Sequence, residues 1–148
     1  MDHTETINLI EDALASAVAG DAERAADRLC ALGENSDDNR MYGVCGAIAN
    51  AGKYALGLIY GDQMAQPERG DMFVLEELKP GTFADDPAKA FAARFLVAWC
   101  NDDRDTTVAL FNAALRSEQY VESVSALLAN VAGIVRLGLD EKKKGGRR

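Results

Sequence analysis

The sequence predicts a mainly all-α protein of about six helices, and three observations carry that expectation. Apolar residues make up 48% of the chain, much of it Ala, while aromatics are only 7% and Pro occurs three times. Such a stock of small side chains suits closely packed helices better than a sandwich or barrel. Apolar residues recur three and four apart over long stretches, and Ser or Asp stands where several of those stretches begin. At 148 residues the chain fits one domain, burying roughly 70% of its unfolded surface without disulfide or metal.

The first helix is expected from about Thr4, with Ile7, Ile10, Leu14 and Val18 along one face and Gly20 as its stop. Asp21 then reads as the N-cap of a second helix whose Ala22, Ala25, Leu29 and Leu32 form a narrow stripe ending at Gly33. The short link makes these two an antiparallel pair. Ser36, followed by Asp37 and Asp38, signals a third start, because a hydroxyl can accept a free N–H and the acids complement the positive helix end. The long helix that follows reaches Tyr60, with Val44, Ile48, Ala51, Ala55 and Ile59 on its packed side. Gly43, Gly46, Gly52 and Gly57 each lower its intrinsic helicity by about 1 kcal/mol relative to Ala, which predicts close helix contacts.

Pro67, Gly70, Pro80 and Gly81 break the pattern across an acidic insert, 61–86. Within it, 72–78 reads as a strand that turns at Pro80-Gly81 and returns through Thr82 and Phe83, a short β-hairpin or extended insert. Asp86-Pro87 restarts the helical pattern, with Pro in the first helical position. Phe91, Phe95 and Trp99 share one face of that helix, and Asn101 with Asp102 ends it and caps the next, whose Val108, Phe111 and Leu115 point inward. Ser117 is the expected cap of the last long helix, in which Val121, Val124, Leu128, Val131 and Val135 have the spacing of a helix gripping a neighbour.

Residues 7–58 laid on 88–139 without a gap give nine identities in 52 positions, including Asp21 with Asp102, Ser36 with Ser117 and Gly52 with Gly133. This predicts two pseudo-repeated three-helix units in one helical domain, 1–139, followed by a basic flexible tail, 140–148. Equivalence of Gly52 and Gly133 about a pseudo-twofold axis is the test of that repeat.

The net charge is −8, and the five bases Lys142, Lys143, Lys144, Arg147 and Arg148 conceal a remainder of −13. So acidic a body disfavours nucleic acid except through the tail. No apolar run has the length and purity of a membrane span, and no basic start with an apolar run marks a secretory signal. Cys30, Cys45 and Cys100 are odd in number and lack CxxC spacing, as expected of reduced cytoplasmic thiols serving as small apolar filler.

Reactive constellations are few. His3 is the single histidine and stands near the chain start. Asn101-x-Asp103-x-Asp105 opens like a calcium loop, but Thr106 holds the position that needs Gly and Asn112 the one that needs Glu. Glu76 and Glu77 would be the paired carboxylates of the insert, yet neighbours on a strand face opposite ways. No catalytic, cofactor-binding or metal site is expected. The expected role is a non-enzymatic helical protein–protein interaction module, binding another protein or a second copy of itself. The alternatives are a regulator touching nucleic acid through its basic tail, and a small-molecule binder with a pocket between the two units, lined by the stripe from Phe91 to Trp99.

Overall fold

The structure is a computed structural model describing residues 1–74 and 81–146, except the side chains of Thr82 and Gly146. It is mostly helical. The helices are α1 (His3–Val18), α2 (Ala22–Glu34), α3 (Asp38–Tyr60), a short α4 (Thr82–Asp85), α5 (Pro87–Cys100), α6 (Arg104–Leu115) and α7 (Tyr120–Gly146), with 3-10 turns at Gly61–Gln63 and Pro67–Arg69.

Five helices begin on an aspartate. The side chains of Asp2, Asp21, Asp37, Asp86 and Asp103 accept the backbone N–H three residues on, at 2.8 to 3.2 Å. Each satisfies a donor the helix cannot use, and each puts a negative charge at the positive end of the helix dipole. Two of these caps differ from expectation. Asp37 caps α3 while the Ser36 hydroxyl has no partner, and Asp103 caps α6 while Asp102 takes a left-handed conformation (φ 57°) at the end of α5. Ser117 lies in the turn before α7, where its hydroxyl donates to Ala114 O and accepts Gln119 N–H.

The core is built on α3 and α7, which run side by side in the same direction. Met41 lines one cavity with Tyr120 and Val124 near their starts, Gly52 lies against Val131 midway, and Ala55 touches Gly138 further on. Helix α1 packs on α7 and holds α2 on its other side, and α5 packs on both long helices and carries α6. Phe95, Ile48, Val44, Leu127, Val131 and Cys45 are fully buried where these helices meet. Burial of such side chains contributes about 1.5–3 kcal/mol each.

The glycines of α3 mark tight contacts at two of four positions. A Cβ on Gly46 would collide with the Trp99 ring, and one on Gly52 would press on Leu96 and Val131 at 3.0 and 3.2 Å. Trp99 stacks on Phe95 (6.0 Å), donates its indole N–H to Asn50 Oδ1 at 2.9 Å and is covered by the Arg104 guanidinium 3.7 Å from its ring centroid. Beside it Tyr42 reaches Thr107 Oγ1 at 2.7 Å. Because the Thr107 hydroxyl donates to Arg104 O, Tyr42 is the donor in that pair.

Several expectations are corrected. The β-hairpin is not supported: there is no strand among the described residues, Met72 to Val74 are irregular, and Thr82 and Phe83 belong to α4. The rest of 72–78 lies outside the described residues. At Phe73 the backbone N–H and C=O that a strand would offer a neighbour are both taken by the Asn101 side chain, at 2.7 and 3.0 Å.

The gapless repeat is not supported either. At the interhelix turns Gly20 matches Asp102 and Asp21 matches Asp103, through the bonds Gly20 N–H to Ala17 O and Asp102 N–H to Trp99 O. That is one residue off the proposed register. Gly52 is wedged between helices, whereas a Cβ on Gly133 would meet nothing. Identical letters therefore sit in unlike surroundings.

Some apolar faces are also rotated from the expected ones. Ile7 and Val108 are exposed at 39% and 43%, and α1 instead buries Thr6, Ala13 and Ser16. The basic segment expected as a tail from residue 140 continues α7 as helix up to Gly146.

Candidate functional site

The site begins with a mismatch between α2 and α7. These helices lie antiparallel: Ala22 and Ala25 face Ala132 and Arg136, while Leu29, Cys30 and Gly33 face Tyr120, Val121 and Val124. Both present small residues to the seam, and neither supplies a side chain long enough to close it. The result is a groove formed by two adjoining cavities of about 390 Å³ each, which share Ala26, Leu29 and Ser125. Its length is that of α2, 13 residues, or about 20 Å at the α-helical rise.

The floor is apolar, with Leu29 and Leu128 buried and Met41 and Val124 beneath one end. Val121, expected to grip a neighbouring helix, is 64% exposed at the mouth. Tyr120 also lines that end. Its hydroxyl oxygen is out of contact with water and has no hydrogen-bond partner, and burial, with Cys45 and Asp38 nearby, pushes its pKa up to about 12. The phenol stays neutral.

Charge on the groove is one-sided. Glu23, Asp27 and Glu34 follow one line along α2 at helical spacing, Glu118 stands in the turn before α7 and Glu122 in its first turn. All five are exposed, and none has an ion-pair partner among the described residues. The basic groups nearby are engaged elsewhere. Arg24 and Arg28 both bind Asp12 of α1, at 3.1 and 2.5 Å, and their hydrogen bonds hold the Asp12 carboxyl below the usual range. Arg136 donates to Val18 O and Ala17 O at 2.9 and 2.8 Å, closing the C-terminal end of α1, where a cation is favoured.

The residues singled out for chemistry do not converge. His3 is exposed in the first turn of α1. Asn101 clamps Phe73, Asp103 caps α6 and accepts the Thr106 hydroxyl at 2.6 Å, and Asp105 is exposed. The calcium-like spacing is thus spent on chain connections, and the Thr106 bonds hold the Asp103 carboxyl below its usual range. Among the described residues no group of three or more His, Cys, Asp or Glu could hold a metal. Glu76 and Glu77 lie outside the described residues.

Cys45 and Cys100 are buried, and burial raises their thiols to about 12 and about 11, so neither supplies a thiolate near neutral pH. Cys30 is exposed on the groove wall. Phe91 and Phe95 are core and Trp99 is half-buried on Gly46, while Phe91 also lines a cavity of about 380 Å³ with Phe83, Arg94 and Leu110.

The groove was hidden in the sequence because its walls are made of Ala, Ser and Gly. The one signal was Val121, an apolar residue at a seam position opposite the narrow stripe of α2. By length and composition α7 is apolar enough to cross a membrane; here Val124, Leu127, Leu128, Val131 and Ala132 of that helix are buried in the fold. Comparison with protein-family models, with curated proteins and with solved structures finds no match for this chain.

Proposed function

We propose that this chain is a non-enzymatic interaction module that receives a helix from a partner protein in the groove between α2 and α7. The observation that carries the reading is an open apolar channel with Glu34 in its wall and further exposed carboxylates on the flanking segments, none of them ion-paired among the described residues. Small wall residues let a visiting backbone approach closely, and an amphipathic helix is the element whose apolar stripe fits a channel of this length. The acidic edges select Lys or Arg on the flanks of that helix, and complementary charge acts on specificity and encounter rate more than on raw affinity.

Three unpaired thiols fit a reducing, cytoplasmic setting. In this reading α7 serves as a core helix and not as a membrane span, since half of it forms the groove wall. The scattered placement of His3, Cys45, Cys100 and the acids supports a binding role over catalysis.

The test is a calorimetric titration with two synthetic amphipathic helices of equal apolar stripe, one flanked by Lys and one by Glu. Saturable binding of the Lys-flanked helix, lost in an Ala129→Glu variant with unchanged melting temperature, is the expected result. Equal binding of both helices, or binding untouched by Ala129→Glu, would overturn the reading.

A further inference from the structure

We infer that the helix entering this groove is the C-terminal half of α7 from a second copy of the chain, forming a closed antiparallel dimer; this rests on the groove being a helix-binding site. The first support is reach. Residues 139–145 of α7 are all exposed, and the half-helix from Gly133 to Gly146 is about 20 Å long, the length of the groove.

The second support is register. Val121, Ser125, Leu128 and Ala132 face the groove, and the same seam continues through Arg136 and Leu139 to Lys143 at steps of three and four. Pairing two copies about an axis near Ala132 sets Leu139, 42% exposed, opposite Ser125, where the two cavities join. Lys143 then meets Val121 at the groove mouth, and Lys142 meets Glu122.

The third support is charge. Glu118 precedes α7 and Glu122 lies in its first turn, while Lys142 and Lys143 follow Asp140 and Glu141 near its end; Glu118, Glu122, Lys142 and Lys143 have no ion-pair partner among the described residues, and Glu141 pairs with Lys144. Antiparallel pairing joins opposite signs at both ends, whereas parallel pairing would join like signs. Each copy gives a half-helix and receives one, so the contact is isologous and closes at two copies without growing into a filament.

The experiment is sedimentation equilibrium on the full chain and two charge-reversed forms, Glu118→Lys with Glu122→Lys, and Lys142→Glu with Lys143→Glu. The wild-type chain is expected at dimer mass, shifting toward monomer with added salt. Each reversed form alone is expected at monomer mass, and their equimolar mixture at dimer mass, because only the mixture restores opposite charges at both ends. Leu139→Glu, at an exposed position, is expected to be monomeric while keeping the wild-type helical circular-dichroism spectrum.

A monomeric wild-type chain, or reversed forms that stay dimeric alone, would overturn the inference. A wild-type monomer that still binds the Lys-flanked helix would refute self-pairing and leave the groove as a docking site for another protein. A monomer that binds neither would refute both.

Discussion

The two flanks of α7 use small residues to opposite ends. On the α3 side Gly46, Gly52 and Gly138 are spaces already filled, by Trp99, by Leu96 with Val131, and by Ala55. On the α2 side Ala22, Ala26, Ser125 and Ala129 leave a channel that nothing in the described chain fills. A small side chain is thus a close contact where the neighbour is large, and an opening where the neighbour is small as well. Packing at native density leaves few voids larger than a water molecule in a protein interior, so a channel open along a whole helix reads as a receiving surface.

The largest effects lie on the filled side. Phe95→Ala, at a fully buried ring stacked on Trp99, is expected to cost about 3–5 kcal/mol in denaturant unfolding. Gly46→Ala forces a methyl against a rigid indole, and overpacking of that kind costs about 1–3 kcal/mol despite the gain in helix propensity. The same change at Gly133, where a Cβ meets nothing, should stabilise the protein by about 0.5–1 kcal/mol. Opposite signs for one substitution on one pair of helices would sharpen the contrast, and equal signs would break it. Asp37→Ala, which removes the cap of α3, is expected to cost about 1 kcal/mol.

Substitutions on the open side should act on binding and leave folding nearly alone. Ala129→Leu lies on the groove wall at an exposed position and is expected to change stability by less than about 0.5 kcal/mol, while weakening helix binding in the same titration. A loss of stability comparable to that of Gly46→Ala would show the groove to be a packed contact.

The thiols separate the two flanks by pH as well as by access. Cys45 and Cys100 hold their protons more tightly when folded, at about 12 and about 11, than in an unfolded chain near 8.5. The unfolded state therefore loses protons first as pH rises, so this contribution to stability is full below the unfolded value and declines above it. Melting temperatures measured from pH 7 to 10 should fall, and the fall should shrink when Cys45 is replaced by Ala. Asp12 has the opposite sign: its lowered pKa supports the α1–α2 hairpin above the ordinary carboxylate range, and that support is lost as pH drops below it.

Much of the helical layout was legible in the sequence because helix starts are local chemistry. Asp21 and Asp86 needed only a free N–H three residues away, and the buried spacing of Val44, Ile48, Phe91 and Phe95 followed from the helical period. The illegible parts depend on distant partners. Nothing local marks Asp102 as the residue that takes the left-handed turn that Gly20 takes in the first hairpin. Asn101 gives no local sign that its amide will hold the backbone of Phe73. The groove was least legible of all, because an Ala facing a large neighbour and an Ala facing an opening are the same letter.

Cys30 sits on the groove wall and tests the central claim most directly. Its alkylation rate is measured in the folded Leu139→Glu form, whose groove no second copy occupies, with and without saturating Lys-flanked helix, and with the buried Cys45 and Cys100 as internal references. The account predicts rapid native modification of Cys30 alone, slowed sharply when the helix is bound. Binding that leaves the Cys30 rate unchanged would place the helix elsewhere and contradict the account.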